Sequence, residues 1–332
     1  MLLWQLLLFI AQQLYNFNVT DYNTNMEKNK LHLSNRRDFL AGVGVLAGAS
    51  IVTGLPGSSF AGNFGPASAT FTVKQVIDIA LSETPGAPLP RTVDQIRAGS
   101  LEQQVTGIVT TTFPTIDVIN KAIKAGANMI ISHEAAFYNN DDNLARVKDD
   151  DIIKYKLELL EKNKIAIWRF HDSWHAHKPD GITWGTLVKL GWDKYYNSAT
   201  PKIITLPTPI TLQQAVTLTK TKLSAPQVRV IGDLKKSVKT IYFIPGSVLS
   251  TEVIPVIQSE KPDLIISGES REWEVGLRVQ DGIMMGLNTK LIVLGHAISE
   301  EAGMEYAATW LAPKVQGLKV THIAAGTPFK YV

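Results

Sequence analysis

A strand–helix–strand phrase occurs twice in this 332-residue chain, at a constant spacing of 135 residues. Residues 105–110 are β-branched and read as a strand, and Ile116, Ile119, Ala122 and Ile123 recur at helical spacing before Gly126. Met129-Ile130-Ile131-Ser132 then forms a short buried strand running into His133-Glu134. In the second copy 238–244 is the strand, 251–260 the helix, and Leu264-Ile265-Ile266-Ser267 the strand running into Gly268-Glu269. Val118 thus matches Val253, Ile130 matches Ile265, and Glu134 matches Glu269. Each copy is followed by another apolar strand ending in histidine: 164–170 before His171, and 290–295 before His296. Strands alternating with helices predict an α/β fold of two similar halves, 70–197 and 200–332. The proline-bearing stretch from Asn197 to Pro207 reads as their junction. Open α/β sheets bind ligands at the carboxyl ends of their strands, so the two histidine-bearing ends are expected to face each other.

The chemistry available there is narrow. The chain has no cysteine, which removes disulfides, thiolate metal sites and cysteine nucleophiles. Any metal must be held by His, Asp or Glu. Beyond residue 61 there are six histidines, and five of them (His133, His171, His175, His177 and His296) follow predicted strand ends. His133 and Glu134 are adjacent donors, and a turn after the strand can aim both inward. His296 and Glu300 are four apart and share one face of a helix. Imidazole plus carboxylate, without sulfur, suits zinc, iron, manganese, nickel or cobalt. The acidic stretch 139–151 reads as a solvated loop. Trp168, Trp174, Trp184 and Trp192 read as core, or alternatively as a stacking surface for a ring substrate.

The N-terminal part reads as an address. Arg36-Arg37 precedes Phe39-Leu40, an uncharged Gly/Ala-softened run extends over 41–52, and Ser59-Phe60-Ala61 has the small-x-small form of a cleavage site. Residues 1–61 are therefore expected to be a twin-arginine (Tat) signal region, with 1–25 an upstream mis-start or a long leading segment. The expected location is periplasmic or otherwise extracytoplasmic, with no membrane association after signal cleavage. A net charge of +3, from 33 basic and 30 acidic residues, gives no reason to expect a nucleic-acid partner.

From about Phe71 to Val332 the sequence resembles the NIF3 family, also known as GTP cyclohydrolase 1 type 2. The resemblance is carried by Ile131-Ser132-His133-Glu134-Ala135 against a strand ending in His-His-Pro, and by His171-x3-His175-x5-Gly181 against His-x3-Asp-x5-Gly. It is carried further by Ser267-Gly268-Glu269 against Thr-Gly-Glu, by Gly295-His296-Ala297-Ile298-Ser299-Glu300 against Gly-His-x2-Ser/Thr-Glu, and by the tail Thr327-Pro328-Phe329-Lys330-Tyr331. It implies two NIF3-like α/β domains, one or two divalent metals per chain in the cleft between them, and a homo-oligomer, often a hexamer. The implied metal ligands are His133, Glu134, His175, His296 and Glu300. Two depart from the family pattern: Glu134 stands for a histidine, and His175 for an aspartate that bridges two metals. An imidazole cannot bridge as a carboxylate does; Asp172 or Glu134 is the alternative bridge. His171 and His177 are further ligands or supports, and Glu269 is the candidate general base or a carboxylate behind the ligands. The implied activity is metal-dependent hydrolysis of a small-molecule substrate such as a nucleotide or phosphoester. The rival is a non-catalytic metal-binding or scaffolding oligomer.

Overall fold

The structure, a computed structural model, describes residues 70–332. The expected export signal and the segment before it lie outside the described residues. No helix among the described residues is long and apolar enough to cross a membrane.

The described chain builds two five-stranded sheets with helices against them, the two-sheet α/β architecture expected. Helix α1 (Val73–Ser82) opens it. Its start is set by a capping box in which Thr72 accepts from the backbone of Gln75 while the Gln75 side chain accepts from the Thr72 backbone. The first sheet contains β1 (Ile96–Ala98), β2 (Ile108–Thr111), β3 (Met129–Ser132) and β4 (Ala166–Arg169), with α2 (Ile116–Lys124) joining β2 to β3 and α3 (Asp151–Lys162) joining β3 to β4. Short α4 (Asp172–Ala176) and then α5 (Gly181–Leu190) lead to the second sheet.

That sheet contains β5 (Ile203–Thr211), β6 (Arg229–Ile231), β7 (Ser237–Val248), β8 (Leu264–Ser270) and β9 (Lys290–Val293). Helix α6 (Leu212–Lys222) follows β5, α7 (Ser250–Glu260) joins β7 to β8, and α8 (Leu277–Met284) precedes β9. Helix α9 (His296–Leu311) and strand β10 (Val320–His322) complete the fold.

The internal echo is a structural repeat. β2, β3 and β4 are adjacent and parallel, as are β7, β8 and β9. Each triplet carries a short antiparallel strand on its last member, β1 on β4 and β6 on β9. The strands β2, β3, β4 and β9 are buried at every residue, which is why they read as mainly apolar runs without alternation.

The halves differ at the opposite edge. There the second sheet takes antiparallel β5, and the first takes parallel β10, which follows the last helix. The sequence boundary at 200 therefore does not separate the sheets completely. Nor is the expected junction all linker: β5 begins at Ile203 and carries Pro207 and Pro209 on an edge strand, at a break in register, where a missing N–H removes no ladder bond.

Helix α9 is buried on nearly every side, by Ala297, Ile298, Ala302, Gly303, Met304, Ala307, Ala308 and Leu311. It packs on α5 and on strands of both sheets, which sets its N-terminus between them. The acidic loop is solvated only in part. Asp142 is buried, pairs with Arg97 at 3.1 Å and accepts from the Phe137 backbone, while Asp150 caps α3.

Candidate metal centre

The strand ends and the start of α9 converge. His133 follows β3 and is fully buried; its Nδ1 lies 3.2 Å from the carbonyl of Phe170, just past the neighbouring strand β4. A carbonyl only accepts, so Nδ1 carries the proton and Nε2 presents a lone pair. That Nε2 is buried without a hydrogen-bond partner, 3.8 Å from Glu300 Oε1.

The same arrangement recurs in three more histidines. Nδ1 of His171 lies 2.9 Å from Asp172, Nδ1 of His175 lies 2.9 Å from Asp180, and Nδ1 of His296 lies 3.3 Å from Glu269. Four imidazoles are thus pinned at Nδ1 by an oxygen, as metal-ligating histidines usually are. Three of them pack ring to ring: His133 stacks on His171 at 4.4 Å, and His175 stands edge-on to both at 4.9 Å.

The carboxylates complete the cluster. Glu134 Oε2 accepts from Arg169 at 2.8 Å, and its Oε1 lies 3.2 Å from His296 Nε2 and 3.6 Å from His171 Nε2. Glu300 is buried, and its Oε2 lies 3.2 Å from His296 Nε2. Gly246 makes room for it: a Cβ there would lie 2.3 Å from Glu300 Oε1. Ser299, beside Glu300, accepts from the Gly246 backbone and donates to the His296 carbonyl, tying the start of α9 to β7.

Burial and neighbours shape the charges. Burial, reinforced by His171 and His175, holds the His133 pKa well below the ordinary histidine value. Burial opposes the charge on His296 too, but Glu134 and Glu300 outweigh it and push its pKa up to about 11. His175 is raised in the same way, burial being outweighed by Asp180.

These residues fit a metal ion. Two groups have donor atoms within 4.8 Å of one another: His133, His171 and His175, and His133, Glu134 and Glu300. Donor separations of 3.2–3.8 Å match the edges of a coordination shell with bonds of roughly 2 Å. His133 has one free nitrogen and serves one ion. The donors therefore suit one ion, or two neighbouring ions, since Glu134 Oε1 lies between His171 Nε2 and His296 Nε2.

The structure brings together His133, Glu134, His296 and Glu300, and sets His175 against His133 and His171. His171 joins them as a donor. Asp172 turns away: its Oδ2 accepts from the Val93 backbone and its Oδ1 pairs with His171, so both oxygens are engaged and it braces the His171 ring. His177 binds the Pro179 carbonyl and packs on Trp174 and Trp310, outside the cluster. Glu269 stands behind His296 at its Nδ1, largely exposed. Trp168, Trp174 and Trp192 are core. Sequence reasoning missed Arg169, which is buried and binds His133 O, Asn140 O and Glu134, and Asp180, which also caps α5. Their signal was weak, since each reads as an ordinary strand-end or helix-cap residue.

Two cavities open on His296. One, of about 460 Å³, is lined by Phe113, Pro114, Tyr138, Lys156, Glu269 and tail residues 325–329 and 331. The other, of about 640 Å³, shares Glu269 and His296 and includes Arg229, Arg271 and Lys330.

Comparison with known proteins agrees with the fold. Residues 95–328 match the family model Duf34/NIF3 (NGG1p interacting factor 3). The chain is similar to the "GTP cyclohydrolase 1 type 2 homolog" of Clostridium perfringens, at 26% identity over 215 residues, covering 62% of this chain and 77% of that one. In structure it is similar to Staphylococcus aureus protein SA1388 (TM-score 0.63, 18% identity) and to a Bacillus cereus protein related to NIF3 (TM-score 0.63, 16% identity). Each of these two similarities covers 79% of this chain and 99% of the other. With the family model spanning most of the described residues, this chain belongs to the Duf34/NIF3 family.

Proposed function

We propose that this protein is an exported metal-dependent hydrolase acting on a small molecule, with a nucleotide or phosphoester as the first class to test. The observation that carries this reading is the set of four histidines pinned at Nδ1, with the buried Nε2 of His133 and two carboxylates at the same spot. A divalent cation held there supplies Lewis acidity, which acidifies water and polarises a substrate oxygen. His133, Glu134, His171, His175, His296 and Glu300 are its candidate holders. Arg169 fixes Glu134, and Glu269 holds His296 by its outer nitrogen, where it is also placed to accept a proton near the cavity mouths. The relatives' cyclohydrolase name supports hydrolysis as the class of chemistry without naming this chain's substrate.

The test is metal content per chain, then turnover on a panel of nucleotides and phosphoesters. Metal at or above one per chain and turnover lost in Glu300→Gln supports the reading; a metal-free protein with no turnover after zinc or manganese is added rejects it. The export half rests on the twin arginines. Replacing Arg36 and Arg37 by lysine should trap the precursor inside the cell, and unchanged export removes that half.

A second reading, a metal-binding oligomer without turnover, is favoured by His175 standing where the family pattern has a bridging aspartate. On either reading a homo-oligomer is proposed. Trp273, Leu277, Met284, Met285 and Leu287 are exposed around α8, an apolar patch of the kind that subunit contacts cover. His175→Asp should raise metal loading toward two per chain and, on the hydrolase reading, raise activity.

A further inference from the structure

Lys156 is an unusual lining residue for an apolar cavity. It comes from α3, is 1% exposed, and donates to the carbonyl of Ala136, two residues beyond Glu134. Its ammonium stands 5.1 Å from the ring centre of Tyr138 and 5.7 Å from that of Phe137. An ammonium has three donors; among the described residues only that one carbonyl accepts from it, and no carboxylate pairs with it. Burial holds its pKa down to about 8. Asp142 opposes that shift in part but forms no ion pair with Lys156. A buried cation without a salt-bridge partner is costly, and the wall around it is otherwise mostly carbon: Phe113, Pro114, Tyr138, Phe329 and Tyr331. The cavity leads to the metal centre. His296 and Glu269 line it, and the Phe113 ring meets the His296 ring edge-on at 5.3 Å. His296 and Glu269 pair with each other, so Lys156 is the lining cation without a carboxylate partner, and the cleft is complementary to a flat apolar body carrying one negative group.

We propose that this cavity is the substrate pocket of the metal centre, and that it takes an aromatic ligand bearing one anionic group, its ring among Phe113, Tyr138 and Phe329 and its anion on Lys156. Lys156 is then a specificity residue, distinct from the groups around the metal. The word substrate rests on the hydrolase reading; the binding does not. Aryl phosphates and aryl carboxylates share the recognised chemistry.

The test is calorimetric titration of the full chain, as purified, with phenyl phosphate, benzoate, benzyl alcohol and inorganic phosphate. Phenyl phosphate or benzoate should bind at least tenfold more tightly than either benzyl alcohol or inorganic phosphate, and whichever binds names the anion. Lys156→Met should weaken the aryl anion at least tenfold and leave benzyl alcohol unchanged. Phe329→Ala, at an exposed position whose truncation spares the core, should weaken the aryl anion and leave inorganic phosphate unchanged. A folded Lys156→Met protein that binds the aryl anion as the wild type does overturns the proposal. So does aryl-anion binding indifferent to Phe329→Ala, which decides the matter if Lys156→Met does not fold. Binding as described without turnover of any nucleotide, phosphoester or aryl ester sinks the hydrolase reading and leaves the pocket; turnover with binding indifferent to both variants does the reverse.

Discussion

Gly246 sits with φ at +72°, and a methyl group there would meet a Glu300 oxygen at 2.3 Å. Gly246→Ala should therefore displace Glu300 and lower metal affinity about 10–100-fold, the usual effect of disturbing a ligand's support. Titration against a competing chelator measures it; unchanged affinity would remove Glu300 from the ligand set. Lys156 gives a prediction in pH. Its folded pKa of about 8 lies below the ordinary lysine value of 10.5, so the unfolded chain binds the extra proton between those values. Relative to Lys156→Met, the wild type should gain stability as pH rises from about 8 to about 10.5, by up to ~3 kcal/mol, and the difference should be flat below that window. Denaturant unfolding of both proteins across pH 7–10.5 checks the sign. At this scale much of the site was legible, because His133, Glu134, His296 and Glu300 each follow a strand end that the apolar pattern marks. His171 reads from the sequence as a further ligand or a support, and nothing there singles out Arg169 and Asp180. Only neighbours distant in sequence, such as Glu134 for Arg169, reveal what those residues do.

Among the elements, α9 does most to position the centre, and its contact with α5 depends on small residues. A Cβ on Gly303 would lie 2.5 Å from the Cα of Ile182, and one on Gly185 would lie 2.6 Å from the Ala302 carbonyl. Neither obstacle is a flexible side-chain end. Gly303→Ala should destabilise by about 1–3 kcal/mol despite alanine's better helix propensity, because the helices must move apart. Chemical denaturation gives the number, and a neutral or stabilising result would mean that α5 and α9 separate freely. The strands and helices of the repeat were predictable to within a few residues, since each carries its period locally. The edge strands β1, β6 and β10 were not; each has three residues, all intermediate or exposed, and no apolar pattern to show.

On the scale of the molecule, the tail returns to the first sheet. β10 pairs in parallel with β2, Glu301 on α9 contacts His322 at 3.3 Å and accepts from the Ala325 backbone, and the last residues wall the apolar cavity. Deleting residues 319–332 should bare the β2 edge and remove that wall. The expected outcome is aggregation on size exclusion and loss of aryl-anion binding; a monodisperse deletion that still binds would place the ligand elsewhere.

The sequence by itself determined the two-sheet repeat and the histidine-and-carboxylate character of the centre, because buried parallel strands show as short, mainly apolar runs and helix faces as a periodic stripe, both within neighbouring residues. It also limited any metal to nitrogen and oxygen donors, since no sulfur ligand of the cysteine kind exists in the chain. The tertiary structure decided which nitrogen each histidine presents, that Asp172 braces while His171 offers a donor, and that Lys156 is buried beside the site. Each of these depends on an atom brought close by packing from a distant segment, and separations of that kind are set by the fold as a whole.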